Sequence, residues 1–582
     1  MKYFILFIVL FVTCMANAQE NVSTVSFDTL ILTDKTNGTL DSIDLQSRSS
    51  SMVFPFISGA SSASFLNPFT QYLPAGSVYH TPFLKRSQLY FSAIPHIGVA
   101  YTFGSQGAQH LTFNYSQVFR KDLLVNLSFN NNASAGFYRN SAWESKAYSL
   151  GIAKNSSCYS FRFNADFSQE NRGLSNGIVS DSLASLFSLT LIPVRKEDAF
   201  SNATLRNIGL MNYIDFNSKD SSRFAGIIME SKLRSLDRYY HESDQLNSLY
   251  SLIQYDSITT SDHYGIVDFT NQLGMGFLSR KLAAKAFVNA NYWRYSNQGM
   301  LRDTLEIGLM FSLDLKLKNW QLNSRSSYNL LGAKNSWSLI SSAAWKKNSH
   351  YVLLENSNNN SAPLPFQRFY QANNISYSLL DFNLQQSYSF KGLFQEKFKK
   401  HYVAFSYEWL STKQVYVYNG QAWSNNSALS QQVLHQFGVL GTFKFGSFAF
   451  SPNYQLTLMD EDYRFYPMHT ISNRILVKGG IFKAKKLKAL AALDLFYSSK
   501  YKAPRIIPTM TSIDYSSLPS AIFQKSMLNA GLLIGIEVET FRFFARLDNI
   551  AYFITDRSQL FYEGYTIPTW QVKFGITWDF WN

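Results

Sequence analysis

The last twelve residues, Gln571 to Asn582, alternate so strictly that few folds can hold them. Val572, Phe574, Ile576, Trp578 and Phe580 fall on one face of an extended strand, and Gln571, Lys573, Gly575, Thr577 and Asp579 fall on the other. A strand with one apolar and one polar face suits two surroundings. One is the half-buried edge of a soluble sheet; the other is a wall with hydrocarbon outside and water inside. The rest of the chain decides between them.

Period-two patterning continues along most of the chain after about Ile94. Tyr159, Phe161, Phe163, Ala165 and Phe167 oppose Ser160, Arg162, Asn164, Asp166 and Ser168. Leu305, Ile307, Leu309, Phe311, Leu313 and Leu315 oppose Glu306, Gly308, Met310, Ser312, Asp314 and Lys316, and Phe541, Phe543, Ala545 and Leu547 oppose Arg542, Phe544, Arg546 and Asp548. A soluble sandwich alternates too, but its connections vary freely. Here short polar turns, such as Arg120-Lys121-Asp122, Lys346-Lys347-Asn348, Ser378 to Asp381 and Lys483 to Lys486, alternate with longer stretches, such as Glu170 to Ser201, Asp237 to Asp262, Ser357 to Gln367 and Ser498 to Gln524. Short turns at one end and long loops at the other mark an all-β fold, a transmembrane antiparallel up-and-down β-barrel with periplasmic turns and extracellular loops. The segments predict about 24 strands, in a range of about 20–26, over residues 95–582.

The start of the chain fits export. Met1-Lys2-Tyr3, the apolar run Phe4 to Val12 and Ala16-Asn17-Ala18 read as a signal peptide over residues 1–18. With Cys14 removed, Cys158 is the remaining cysteine, so the exported chain folds without an internal disulfide. No later run of about 18 apolar residues provides a helical span, while 49 Phe, 35 Tyr and 10 Trp suit the aromatic girdles of a barrel. Residues 19–51, rich in Ser, Thr, Asp and Asn, read as a flexible periplasmic tail. In residues 52–94, Phe54-Pro55-Phe56, Pro68, Pro74, Gly76 and Pro82 forbid a regular ladder. That segment is expected either to enter the barrel mouth as a partial plug or to form an ordered coil outside it.

Several stretches carry a family resemblance: Arg86-Ser-Gln-Leu-Tyr-Phe91, Gly104-Ser-Gln-Gly107, Ala135-Gly-Phe-Tyr138, Glu170 to Ile178, Tyr565 to Pro568 and Phe574 to Phe580. In these the chain resembles the Bacteroidota putative porin family over most of its length after about Pro68, although the usual double glycine before Ile178 is missing. The resemblance implies an outer-membrane barrel and transport. Outer-membrane barrels commonly finish in an apolar-aromatic strand, so Phe574, Ile576, Trp578 and Phe580 are expected to form the signal for the barrel-assembly machinery.

The chemistry is sparse. The nine histidines are scattered, no i, i+4 His pair with Glu is present and no Gly-rich phosphate loop occurs, so no metal, cofactor or enzymatic activity is expected. His241-Glu242, placed in a long loop, reads as a solvated pair. The net charge of +14 raises the question of nucleic acid, but Lys and Arg are spread over turns and polar strand faces, so no nucleic-acid partner is expected. Turn lysines such as Lys346 and Lys483 meet outer-membrane lipid headgroups or the periplasm. On the polar faces, Arg162, Asp166, Asp314, Lys488, Asp494, Arg542, Arg546, Asp548, Lys573 and Asp579 are the candidate pore-lining residues. They either set a field that selects ions or pair with one another on the wall.

Two functions fit this pattern. A barrel of about 24 strands is wide enough for a channel, through which small hydrophilic solutes would diffuse passively with a weak preference for anions. Alternatively, Met52 to Leu84 fills the lumen and the barrel is a scaffold. It would then dock an envelope protein through aromatic loops such as Tyr239 to Tyr255, with Leu246, Leu249 and Tyr250.

Overall fold

Strands that cross hydrocarbon find no water for their backbone N–H and C=O groups, so both edges of every strand must be paired. The computed structural model describes residues 30–32, 89–91 and, with short gaps, 94–581, and in it 22 antiparallel strands close into one barrel. Each strand pairs with its neighbours in sequence. The first, His96–Gly104, also pairs with the last, Gln571–Trp581, which completes the ring.

The count falls inside the expected range, two below the central figure of about 24. One difference lies between His350–Ser361 and Gln385–Phe398. Ser378 to Asp381, expected as a short turn, sits inside the long connection between those strands. Phe369–Gln371 and Ser376–Ser378 pair there only with each other, and three residues reach roughly 10 Å, far short of a bilayer core of about 30 Å. The short turn falls at Lys399-Lys400 instead. His241 and Glu242 are likewise not in a loop, because the strand Phe224–Glu242 continues for 19 residues, well past the thickness of a membrane.

The two faces of the wall separate as the alternation requires. Leu305, Leu309 and Phe311 stand exposed outside, as do Ile576, Trp578 and Phe580 on the last strand. Around the ring these residues form an apolar belt that lipid would cover. Trp578 stacks on Phe580, with ring centroids 4.6 Å apart, and meets the edge of Phe541 at 5.9 Å.

At the long-loop end the connections fold inward. Leu174, Ile178 and Ile192 join Phe465, Tyr501 and Tyr565 in one buried cluster. Phe366, Tyr370, Ile375 and Trp423 form another against Leu236, Tyr264, Trp293 and Tyr295 of the wall. Leu30–Leu32 pairs in parallel with Leu89–Phe91, which lies beside the strands Ala108–Phe119 and Leu123–Ser134. The expected signal peptide, the rest of the tail, the segment 52–88 and the loop residues Leu246, Leu249 and Tyr250 lie outside the described residues.

Trp578 and Phe580 serve both the outer belt and the closing strand. Replacing both with lysine puts charge on the lipid face at a cost of up to about 2–4 kcal/mol each, depending on depth. The double variant is expected to leave no heat-modifiable barrel in isolated membranes; wild-type amounts of folded band on an unheated gel would refute this.

Candidate functional site: the inner wall

Paired residues in a sheet share a face, so the register fixes which side chains line the lumen. Arg542, Phe544, Arg546 and Asp548 form one inner row, all buried. Lys573 and Asp579 stand on the next strand and Lys488 and Asp494 on the strand Leu487–Ser498. The candidates from Lys488 to Asp579 therefore gather in one sector of the wall. Arg162 and Asp166 stand farther round, on Tyr159–Gly173, and Asp314 on Met300–Lys316.

Within the sector the charges are bonded to each other. Arg546 donates from Nη1 to Asp494 Oδ2 at 3.1 Å and from Nε to Asp548 Oδ1 at 2.6 Å, while Lys573 Nζ donates to Asp548 Oδ2 at 2.8 Å. Arg474 adds a longer contact to Asp494, at 3.8 Å. These side chains, Arg474 apart, are only 2–3% exposed. Gly531 makes the crossing possible. It lies opposite Asp494 in the register, and a Cβ there would stand 3.2 Å from both Arg546 Nη2 and Asp548 Oδ1.

Nearer the short turns a second network spans the closing seam. Lys488 Nζ reaches Glu537 Oε1 at 2.6 Å, Arg542 lies 3.5 Å from Glu537 and donates to Asp579 Oδ2 at 2.7 Å, and His96 Nε2 lies 3.1 Å from Asp579 Oδ1. Between the networks sits a buried apolar patch of Leu490, Ala492, Leu533 and Phe544. The Phe544 ring lies over Gly575, where any side chain would collide with it. Sequence reading missed Glu537, His96 and Arg474. Glu537 does fall on the polar row of Met527–Val538, but only the register sets it opposite Lys488 and Arg542.

Asp166 is held by neutral groups, Ser149 at 2.5 Å, Asn207 at 2.9 Å and Asn164 at 3.2 Å. Asp314 faces Asn323 across the ladder.

The opposite sector is different. Among the described residues of Met300–Lys316, Trp320–Leu331, Trp337–Lys347, His350–Ser361 and Gln385–Phe398, Gly308 alone is buried. One inner row runs Ser312, Arg325, Ile340, Ser357 and Ser389. Another sets Glu355 opposite Lys391, and Lys391 opposite Glu408. Arg325, Ile340 and Lys391 are exposed although they face inward. This sector of the lumen wall is therefore wet, whereas the sector built from Met527–Val538 and Phe541–Asp548 is dry on every inner residue.

Where the wet sector meets the loop 362–384, a cavity of about 370 Å³ lies between loop and wall. Arg234 is ion-paired with Asp268 on its floor, and Trp293 Nε1 donates to Glu306 Oε1 at 3.2 Å. The Arg368 guanidinium forms part of the roof, 4.0 Å from the Phe382 ring centroid and 4.8 Å from that of Phe369. Its Nε is buried without a hydrogen-bond partner among the described residues. Burial pushes the Arg368 pKa down, and the negative charge of Glu306 pushes back.

Comparison with known proteins gives a family and a fold. The model of the family described as "Putative porin" matches residues 60–582. No curated protein matches the sequence. Among solved structures, the siderophore receptor PirA from Acinetobacter baumannii superimposes with a TM-score of 0.60 at 11% identity, covering 85% of this chain and 81% of that one. The FrpB iron transporter from Neisseria meningitidis gives 0.59 at 10%, covering 84% and 83%. A mutant of the ferric enterobactin receptor PfeA from Pseudomonas aeruginosa gives 0.59 at 9%, covering 84% and 81%. At such identities the likeness is one of fold.

Because Arg546 bridges two carboxylates in a dry environment, Arg546→Ala leaves Asp494 and Asp548 short of a partner. The expected cost is about 3–5 kcal/mol, read as a lower unfolding midpoint in urea with lipid or detergent present. Because the cluster is only 2–3% exposed and lies away from the wet part of the wall, the reversal potential in a salt gradient should stay at the wild-type value. A shifted reversal potential with unchanged stability would contradict the pairing.

Proposed function

Since the chain belongs to the putative porin family and its barrel is that of an outer-membrane protein, we propose that it is a channel through which small hydrophilic solutes diffuse passively. The observation that supports this most strongly is the wet part of the inner wall, lined by Ser, Asn and charges of both signs. Barrels of about 16–18 strands already enclose aqueous channels, and those of about 22 strands are met with plugged lumens. In this reading solutes pass along the wet part of the wall.

Selectivity by charge is weak. On this inner face Lys391 stands between Glu355 and Glu408, and Lys285 and Arg325 both lie opposite Ser312, two residues along the strand from Asp314. Any preference for anions arises from small local excesses there, and not from Arg542 or Arg546, whose charges are matched.

A second reading, a scaffold that docks an envelope protein, is favoured by one feature. Leu186, Phe187 and Leu191 on the loop 174–199 are 73%, 49% and 62% exposed, an apolar group that a partner would cover.

Liposome swelling separates the two readings. With purified protein in the bilayer, swelling in isotonic pentose should be fast and should slow steadily as the solute grows to a trisaccharide. A planar bilayer should show steady conductance with a reversal potential close to that of a neutral pore. Absence of both swelling and conductance from a folded preparation would overturn the channel and leave the scaffold.

A further inference from the structure

The channel reading says nothing about which solutes the barrel prefers, and the cavity beneath the loop 362–384 bears on that. At about 370 Å³ it falls at the small end of ligand pockets, which run from about 300 to 1,000 Å³. Its polar groups are not equivalent. Arg234 and Asp268 neutralise each other on the floor. Glu306 receives hydrogen bonds from Trp293 and Asn291 and lies in the field of Arg368, whose guanidinium is flanked by the faces of Phe369 and Phe382 and makes no ion pair or side-chain hydrogen bond among the described residues. One cation and one anion therefore retain hydrogen-bonding capacity toward the cavity. The walls between them are apolar, with Leu236 and Ile266 on one side and Pro363 to Pro365 on the other.

A site with one available positive end, one available negative end and an apolar strip complements a small zwitterion that has an apolar body. From this geometry we infer that the cavity is a binding site for amino-acid to dipeptide-sized zwitterions. The carboxylate sits on Arg368, the ammonium on Glu306, and the side chains lie along Leu236, Ile266 and Leu364. A guanidinium presents its N–H groups in a fork that matches a carboxylate, which suits Arg368 to that end. The site lies at the head of the wet sector of the lumen, so a bound solute would be held at the entrance of the proposed path. The inference rests on the channel reading only for that role; binding itself does not need an open channel.

The test is calorimetric titration of folded protein in detergent with the dipeptide Ala-Phe, its N-acetylated form, its C-terminal amide, and maltose. Ala-Phe should bind, each capped form should bind at least roughly tenfold more weakly, because a charge-assisted hydrogen bond is lost at that end, and maltose should not bind. Arg368→Gln should erase the penalty of the amide and Glu306→Gln the penalty of acetylation. Equal binding of capped and free dipeptides, binding of maltose in place of Ala-Phe, or no binding at all would each overturn the site. The capped ligands decide this on the wild-type protein, whatever the variants do to folding. Swelling without Ala-Phe binding would refute this inference and spare the channel, whereas binding without swelling would do the reverse.

Discussion

Everything in this molecule depends on the pairing of its first strand with its last. Without the ladder from His96–Trp581 to Gly104–Lys573, two edges would lie open in hydrocarbon, each with a row of unbonded backbone groups. The backbone alone does not fix that register, because a slip by one residue also pairs the strands while turning every side chain to the wrong face. The inner wall supplies the missing specification. From Lys488 through Glu537, Arg542 and Asp579 to His96, one chain of ion pairs, closed by a histidine–carboxylate hydrogen bond, crosses five successive strands and ends across the seam. Buried ion pairs are weak contributors to net stability. Their value here is that only one register satisfies them all.

The same networks divide the lumen. Where Arg546, Lys573 and Phe544 line the wall, charges are matched and water is excluded; where Arg325, Ser357 and Lys391 line it, the wall is wet. A barrel of even lining would need one explanation for the whole interior. This one needs two, a sector built to be covered and a sector built to be solvated. The loops continue the division, since the loop 362–384 packs its aromatic residues onto Tyr264 and Tyr295 beside the wet sector and leaves a cavity under Pro363 to Pro365.

Much of this was legible in the sequence because a barrel wall obeys one local rule. Alternation assigned Phe541, Phe543, Ala545 and Leu547 to one face and Arg542, Arg546 and Asp548 to the other, and the structure puts the second set inside. The failures share a cause as well. Phe369–Gln371 and Ser376–Ser378 alternate like wall strands but are too short to cross, and local pattern carries no measure of what a segment packs against. For Arg542 and Arg546 the sequence left pairing and ion selection both open, because their partners, Glu537 and Asp494, belong to neighbouring strands and become partners only through register. The cavity was invisible for the same reason: Arg234, Glu306 and Arg368 come from two strands and a loop, with no spacing that links them.

The division of the lumen is most directly tested by thiol accessibility in intact membranes. Cys158 is buried, so in a chain carrying Cys14→Ser single cysteines can be read against a quiet background. Ser327→Cys and Ser357→Cys, on the wet sector, should react within minutes with a membrane-impermeant, water-soluble maleimide. Leu533→Cys, on the dry sector, should react only after unfolding. Equal labelling at all three positions would contradict the account, and so would protection of the first two.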